Sequence, residues 1–275
     1  MKTWQIDLVK LPMTATIHNL ETPWLLLICQ EDSNFKYEIL QAQNQVNLNW
    51  LISQIKIADA GILPDRIQVF RPQSLGLIQL AGENLNINVC PIRNLIFLKE
   101  QLTVKVQEYN LSPSELISIE SPPPQPLPDH LWGEEWQFAT LKAAALKELF
   151  SEYPIPIKSI SEKVSIDNLK IGDNVDIPGT IIYGGKQSRR ISQWLSETSP
   201  LSVNYLGDEA GGLLLEAGLN DRWILVTFND TQVSESAKTY ETRKQLIKGL
   251  HFLLIAPDRT GMTYSGLWIL SSMDN

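Results

Sequence analysis

The feature that most limits how this chain can fold is the run SPPPQPLPDH at 121–130, with five prolines in ten residues. Each proline fixes φ and removes a backbone donor, so such a run is stiff, extended and unable to enter a helix or a sheet interior. It therefore predicts a domain at 1–118, a proline-rich linker at 119–131 and a second domain at 132–275. At 275 residues two domains are also the natural outcome of how hydrophobic cores grow.

Each half alternates short apolar runs with amphipathic segments. The first half reads as strands at 4–11, 23–30 and 35–41, a helix at 48–61, a strand at 66–71, a helix from Ser74 to Leu85, a strand at 86–93 and helical character after it. Ser74 is a plausible N-cap. Three strands followed by αβαβ is the order of a ribonuclease-H-like fold, an analogy that confers no function. The second half reads as strand 134–141, helix 141–153, strand 177–184, helix 188–197, three strands between 201 and 229, an amphipathic helix at 233–249, and closing strands at 251–257 and 266–272. The fold class is α/β in the broad sense, α+β included: two mixed-sheet domains with helices packed on one mixed sheet in each.

Composition narrows function mainly by exclusion. An apolar content of 43% with 20% charged residues is that of a globular protein. No apolar run approaches the ~20 residues of a spanning helix. The first residues resemble neither a signal nor a transit peptide, and Cys29 and Cys90 lie inside apolar runs, so the expectation is a cytoplasmic protein with reduced, buried thiols. The net charge of −8 argues against indiscriminate nucleic-acid binding and requires that any RNA contact use a local patch.

Candidate chemistry is sparse. A two-metal nuclease needs several converging carboxylates, but Asp7 is the single acid at a suitable place, and the end of the fourth strand carries Arg71 instead. Asp7 is better read as structural, hydrogen-bonded to neighbouring backbone. His18, His130 and His251 are far apart and lack ligand spacing, so no metal and no cofactor is expected, and His251 reads as a packed histidine. Glu134 and Glu135 point to opposite faces of a strand, and Asp221 reads as a turn residue. The Gly-Gly-Lys at 184–186 is a strand-to-helix turn first and a phosphate seat second, although Lys186, Arg189 and Arg190 cluster around it. Lys238, Arg243, Lys244 and Lys248 on the last helix are diluted by Glu235 and Glu241. Arg66, Arg71 and Arg93 flank neighbouring strands, with Trp4 and Phe70 as conceivable stacking faces.

The blocks WGEEWQF, GLNDRWILV, GLHFL and WIL, together with WQIDLVKLP, PWLLLICQ and VFRPQ, resemble the Tab/Atab-type family of cyanobacteria and chloroplasts. Its plant and algal members are RNA-binding factors needed for translation of photosystem reaction-centre messages. Leu25 and Gln30 depart from its usual pattern, where acids stand. The resemblance implies a non-enzymatic protein holding a single-stranded, A/U-rich mRNA leader, with photosystem assembly or translation factors as further partners. Trp268, Ile269 and Leu270 match a C-terminal tripeptide implied in RNA binding, and with Arg71, Lys186, Arg189, Arg190 and Arg222 they form the candidate RNA-binding set. The alternatives are a protein-binding assembly scaffold without RNA contact and a divergent metal-dependent nuclease.

Overall fold

The computed structural model describes residues 1–12, 15, 23–31, 33, 35–93, 95–119, 121–160, 172–207 and 210–272. The chain divides into two units, Met1–Glu120 and Ser121–Asn275.

In the first unit the elements are β1 (Thr3–Lys10), β2 (Pro23–Cys29), β3 (Lys36–Ala42), α1 (Leu48–Ile57), β4 (Arg66–Val69), α2 (Pro72–Leu85), β5 (Asn88–Pro91), α3 (Ile96–Glu108) and the single turn α4 (Pro113–Leu116). They form one sheet in the order β3-β2-β1-β4-β5. β1, β2 and β3 pair antiparallel, while β4 and β5 run parallel to β1. The period-2 alternation of β1 sends Trp4, Ile6 and Leu8 into one core with Leu51, Ile55 and Ile78 of α1 and α2. Val9 joins the opposite core with Leu98 and Leu102 of α3. Gln5 on that face caps α3 from the sheet: its Oε1 accepts the Leu98 N–H at 3.0 Å.

Local chemistry sets the helix ends. Asn47 caps α1 by accepting the Trp50 N–H at 3.1 Å. The helix stops at Ile57, short of the expected 61, because Ala60 and Gly61 take positive φ of 49° and 88°. α2 begins two residues before Ser74, since Pro72 is suited to the first helical turn. Ser74 is thus no cap, and its hydroxyl donates back to the Arg71 carbonyl at 3.2 Å.

The second unit contains β6 (Gln125–Pro126), β7 (Glu135–Lys142), α5 (Ala143–Ser151), β8 (Ile157–Ile160), β9 (Asp176–Tyr183), α6 (Ser188–Thr198), β10 (Pro200–Tyr205), β11 (Gly212–Ala217), β12 (Asp221–Thr227), α7 (Thr231–Leu246), β13 (Leu250–Ala256) and β14 (Gly266–Ser271). Here the expectation of one mixed sheet is corrected. The described residues form two sheets, β10-β11-β12-β6 and β7-β9-β13-β14-β8. They share a core in which Val203, Leu213 and Leu215 meet Leu253, Ile255 and Trp268. Phe252, Leu254 and Ile269 face the other way, onto α5. Two glycines let this sheet close up: the Trp268 ring lies 2.5 Å from where a Cβ on Gly266 would sit, and the Phe252 ring occupies the corresponding space at Gly179.

Part of the proline run belongs to this unit. Gln125 and Pro126 pair parallel with Trp223 and Ile224 as an edge strand, a place where a missing N–H is tolerated. Leu127 and Leu131 are buried. Residues 125–131 are therefore docked on the second unit, where an unattached linker had been expected.

A buried polar knot ties α7 to the sheets. Lys244, 2% exposed, donates to the Val203 carbonyl at 2.9 Å, Asn204 Oδ1 at 2.7 Å and Glu241 Oε1 at 2.7 Å. Tyr240 donates to the same carbonyl, and His251 Nε2 accepts the Val203 N–H at 2.9 Å. Nδ1 then carries the proton and donates to the Gly249 carbonyl at 2.8 Å. Burial, and secondarily the Lys244 charge, hold the His251 pKa down at about 3, so the ring is a neutral core group.

Candidate nucleic-acid interface

The most exposed unpaired cations of the candidate set gather where β9 passes into α6. β9 and β13 are parallel neighbours, and their carboxyl ends open onto one edge, the location where open α/β sheets bind ligands. The Gly184–Gly185 turn forms because the Gly184 N–H donates to the Ala256 carbonyl at 2.9 Å and the Gly185 N–H to the Pro257 carbonyl at 3.0 Å. A Cβ on Gly184 would meet Ser188 Cα at 2.8 Å, and Gly185 has φ of +50° with the Glu134 carboxylate packed against it. Both amides are engaged and an acid lies alongside. The turn is therefore a connection and not a backbone phosphate nest.

Its side chains remain available. Lys186, Arg189 and Arg190 are exposed, and among the described residues none has a hydrogen-bond or ion-pair partner. Arg189 and Arg190 occupy the first turn of α6, which has no acid in it. Cations there oppose the helix dipole, a cost of about 0.3–1 kcal/mol each that an arriving phosphate would reverse. Arg259 lies on the same edge but is paired with Glu135 at 2.6 Å, its guanidinium 5.3 Å from the Tyr183 ring centre.

Two hollows flank this edge. The first, of about 300 Å³, is bounded by Tyr153, Ser188, Arg189, Met262, Tyr264 and Ser265. The second, of about 350 Å³, is a mainly apolar groove along Leu127, Trp132, Trp136, Ile182, Leu225 and Val226. Trp132 is 58% exposed, with its indole N–H donating to the Leu127 carbonyl at 2.9 Å. Burial raises the Tyr264 pKa, so its phenol stays protonated.

The remaining candidates have structural surroundings. Arg71 is 7% exposed and grips both oxygens of buried Asp7, at 2.8 and 2.9 Å, while donating to the Leu116 carbonyl at 2.7 Å. The structural reading of Asp7 holds, but its partner is this guanidinium where backbone had been expected. Trp268, Ile269 and Leu270 are each at most 1% exposed, in the interior of the second unit. Arg222 donates to the Pro122 carbonyl at 3.1 Å and approaches Glu216 at 3.9 Å, holding the proline run. Trp4 and Phe70 are fully buried, Trp4 stacking on Phe35 at 5.1 Å, so neither is a free base platform. On α7, Lys244 is buried, Lys238 pairs with Glu235 and Arg243 reaches Thr140. Cys29 is buried, its thiol pKa pushed up to about 12, and His18 lies outside the described residues.

The structure thus brings together Lys186, Arg189 and Arg190 and leaves Arg71, Arg222, Trp268, Ile269 and Leu270 in supporting positions. The sequence reading missed Trp132, Tyr153 and Tyr264 as accessible aromatics. No local pattern separates these from buried rings, since exposure depends on which sheet edge is covered.

The chain matches the N-terminal domain of the RNA-binding protein Tab2/Atab2 over residues 3–105 and its C-terminal domain over 114–271. It is 26% identical over 283 residues to the chloroplastic protein TAB2 homolog of Arabidopsis thaliana, covering 98% of this chain and 74% of that protein. With the chloroplastic TAB2 homolog of Zea mays it shares 22% identity over 291 residues, covering 98% and 71%. A solved chain in the simian T-cell lymphotropic virus intasome bound to the PP2A regulatory subunit B56 gamma covers 39% of this chain and 40% of its own at 16% identity. Its TM-score is 0.29. The two domain matches, which together span most of the chain, place the molecule in a class of RNA-binding proteins. It belongs to the Tab2/Atab2 family.

Proposed function

We propose that this protein is a non-enzymatic, cytoplasmic factor that binds single-stranded, A/U-rich mRNA leaders and supports translation or biogenesis of photosystem reaction-centre subunits. The observation that carries the reading is the trio Lys186, Arg189 and Arg190, exposed and unpaired at a helix start where cations are otherwise unfavourable. Phosphates would reach the trio, and unstacked bases would reach Trp132 or Tyr153, the exposed aromatics beside it. Of the sequence-derived set, Arg71, Arg222, Trp268, Ile269 and Leu270 serve this function by holding the fold. No helix among the described residues is long and apolar enough to cross a membrane.

The strand order and directions of the first unit support a ribonuclease-H-like reading as part of the same proposal. Engagement of both Asp7 oxygens by Arg71 argues against a nuclease site there. Mg²⁺- or Mn²⁺-dependent RNA cleavage abolished by Asp7→Asn would reinstate it.

The test is binding of labelled single-stranded RNA across salt. For single strands the slope of log K against log salt is about −0.7 per phosphate contact, so three cations give roughly −2. From 50 to 200 mM salt the affinity should fall about 20-fold. Replacing the trio with glutamine should flatten that slope, and an unchanged slope would remove the trio from the interface. A scaffold reading is favoured by the apolar groove at Trp132 and the net charge of −8. Absence of RNA binding at low salt would select it.

A further inference from the structure

The hollow beside the trio has features that phosphate binding alone leaves unexplained. Its volume of about 300 Å³ lies at the bottom of the roughly 300–1,000 Å³ typical of small-ligand sites. Tyr153 and Tyr264 line it with ring centres 6.1 Å apart, inclined at 60°. Met262, 82% exposed, also lines it, an adaptable apolar side chain. Ser188 and Ser265 line it too, at 4% and 5% exposure, and among the described residues neither hydroxyl has a hydrogen-bond partner. Each of these hydroxyls can both donate and accept, so the wall of the hollow offers hydrogen bonds to a ligand with polar edges. Among the described residues no carboxylate lines the hollow, and Arg189 does.

We infer that this hollow seats one unstacked nucleobase of the bound strand, with the adjoining phosphate on Arg189. The inference rests on the RNA reading above. A base is planar and offers a π-face to the tyrosines and a donor–acceptor edge to the serines. Because each serine hydroxyl both donates and accepts, uracil and adenine edges are served alike, and the seat discriminates weakly between them. The volume admits one base. The turn and α6 hold Ser188 and Arg189, while β14 holds Ser265 one residue before its start, so the seat is built on ordered elements.

The experiment has two arms. In the first, adenosine and uridine 5′-monophosphates are titrated into the full chain and followed by NMR. In the second, a ten-nucleotide A/U RNA and versions abasic at each position in turn are measured by fluorescence anisotropy. Both arms use the wild type, Tyr264→Leu, which keeps apolar bulk, Tyr153→Ala at an exposed site and the near-isosteric Ser265→Ala. Urea unfolding checks that each variant is folded.

The expected result is saturable mononucleotide binding, one abasic position costing about tenfold or more, and loss of that position's effect in Tyr264→Leu with the salt slope unchanged. If RNA binds but no abasic position matters, or if Tyr264→Leu and Tyr153→Ala both bind like the wild type, the base seat is overturned and the RNA reading stands. If mononucleotides bind and Tyr264→Leu abolishes this while RNA does not bind, the seat stands and the RNA reading falls. If neither mononucleotide nor RNA binds, both fall.

Discussion

Removing either member of the Asp7–Arg71 pair should be one of the most damaging single changes in the first unit. Asp7 is fully buried and Arg71 7% exposed, and two charge-assisted hydrogen bonds join them. Asp7→Ala would leave the guanidinium bonded to the Leu116 carbonyl and lying over the face of Phe70, 5.0 Å away. An uncompensated buried charge of this kind costs about 3–5 kcal/mol. Arg71→Met should cost a comparable amount by stranding the carboxylate. Asp7→Leu with Arg71→Met removes both charges and retains apolar volume, so it should recover most of the loss, because the desolvation of the pair disappears with it. Urea unfolding read by hydrogen-exchange mass spectrometry on first-unit peptides isolates this unit from the second. Single variants losing under about 1 kcal/mol, or a double variant losing the sum of the singles, would refute the reasoning.

Three further outcomes follow from the second unit. His251 has its folded pKa at about 3, below the ordinary 6.5, so the unfolded state takes the proton first and stability declines from about pH 6.5 toward pH 3; between pH 8 and pH 4.5 the wild type should lose about 2–3 kcal/mol more than His251→Gln in parallel urea titrations. Trp268→Ala should cost about 3–5 kcal/mol by opening a cavity, whereas Trp268→Phe, if folded, should bind RNA within about twofold of the wild type, since a buried ring acts through the fold. Gly179→Ala drives a methyl into the Phe252 ring and should cost about 1–3 kcal/mol, partly relieved by Phe252→Leu in the same thermal-unfolding series.

Much of the fold could be read from alternation, and the departures have physical reasons. β1 was legible because Trp4, Ile6 and Leu8 alternate against polar Gln5 and Asp7. β6 and β8 were not, being only two and four residues long, and one of the two residues of β6 is a proline, which is kept out of a sheet interior. The start of α7 was misplaced by two residues because Asp230 caps it, accepting the Gln232 and Val233 N–H groups. Of the candidate site, the Lys186–Arg190 cluster was legible since its three charges fall within five residues of sequence. The other assignments needed tertiary information: Arg71 and Asp7 are 64 residues apart, and nothing local announces that they meet. Trp132 and Trp268 look alike in sequence, yet one is 58% and the other 1% exposed.

The docking of residues 125–131 changes where the chain can be divided. A fragment starting at Trp132 would discard the strand covering the β12 edge, along with Leu127, whose carbonyl receives the Trp132 indole N–H. It would also strip Arg222 of its Pro122 acceptor. That fragment would present a bare strand edge beside an apolar groove, a template for self-association. Compositional punctuation and mechanical independence are thus separate properties here: the prolines announce a boundary, but they travel with the second unit.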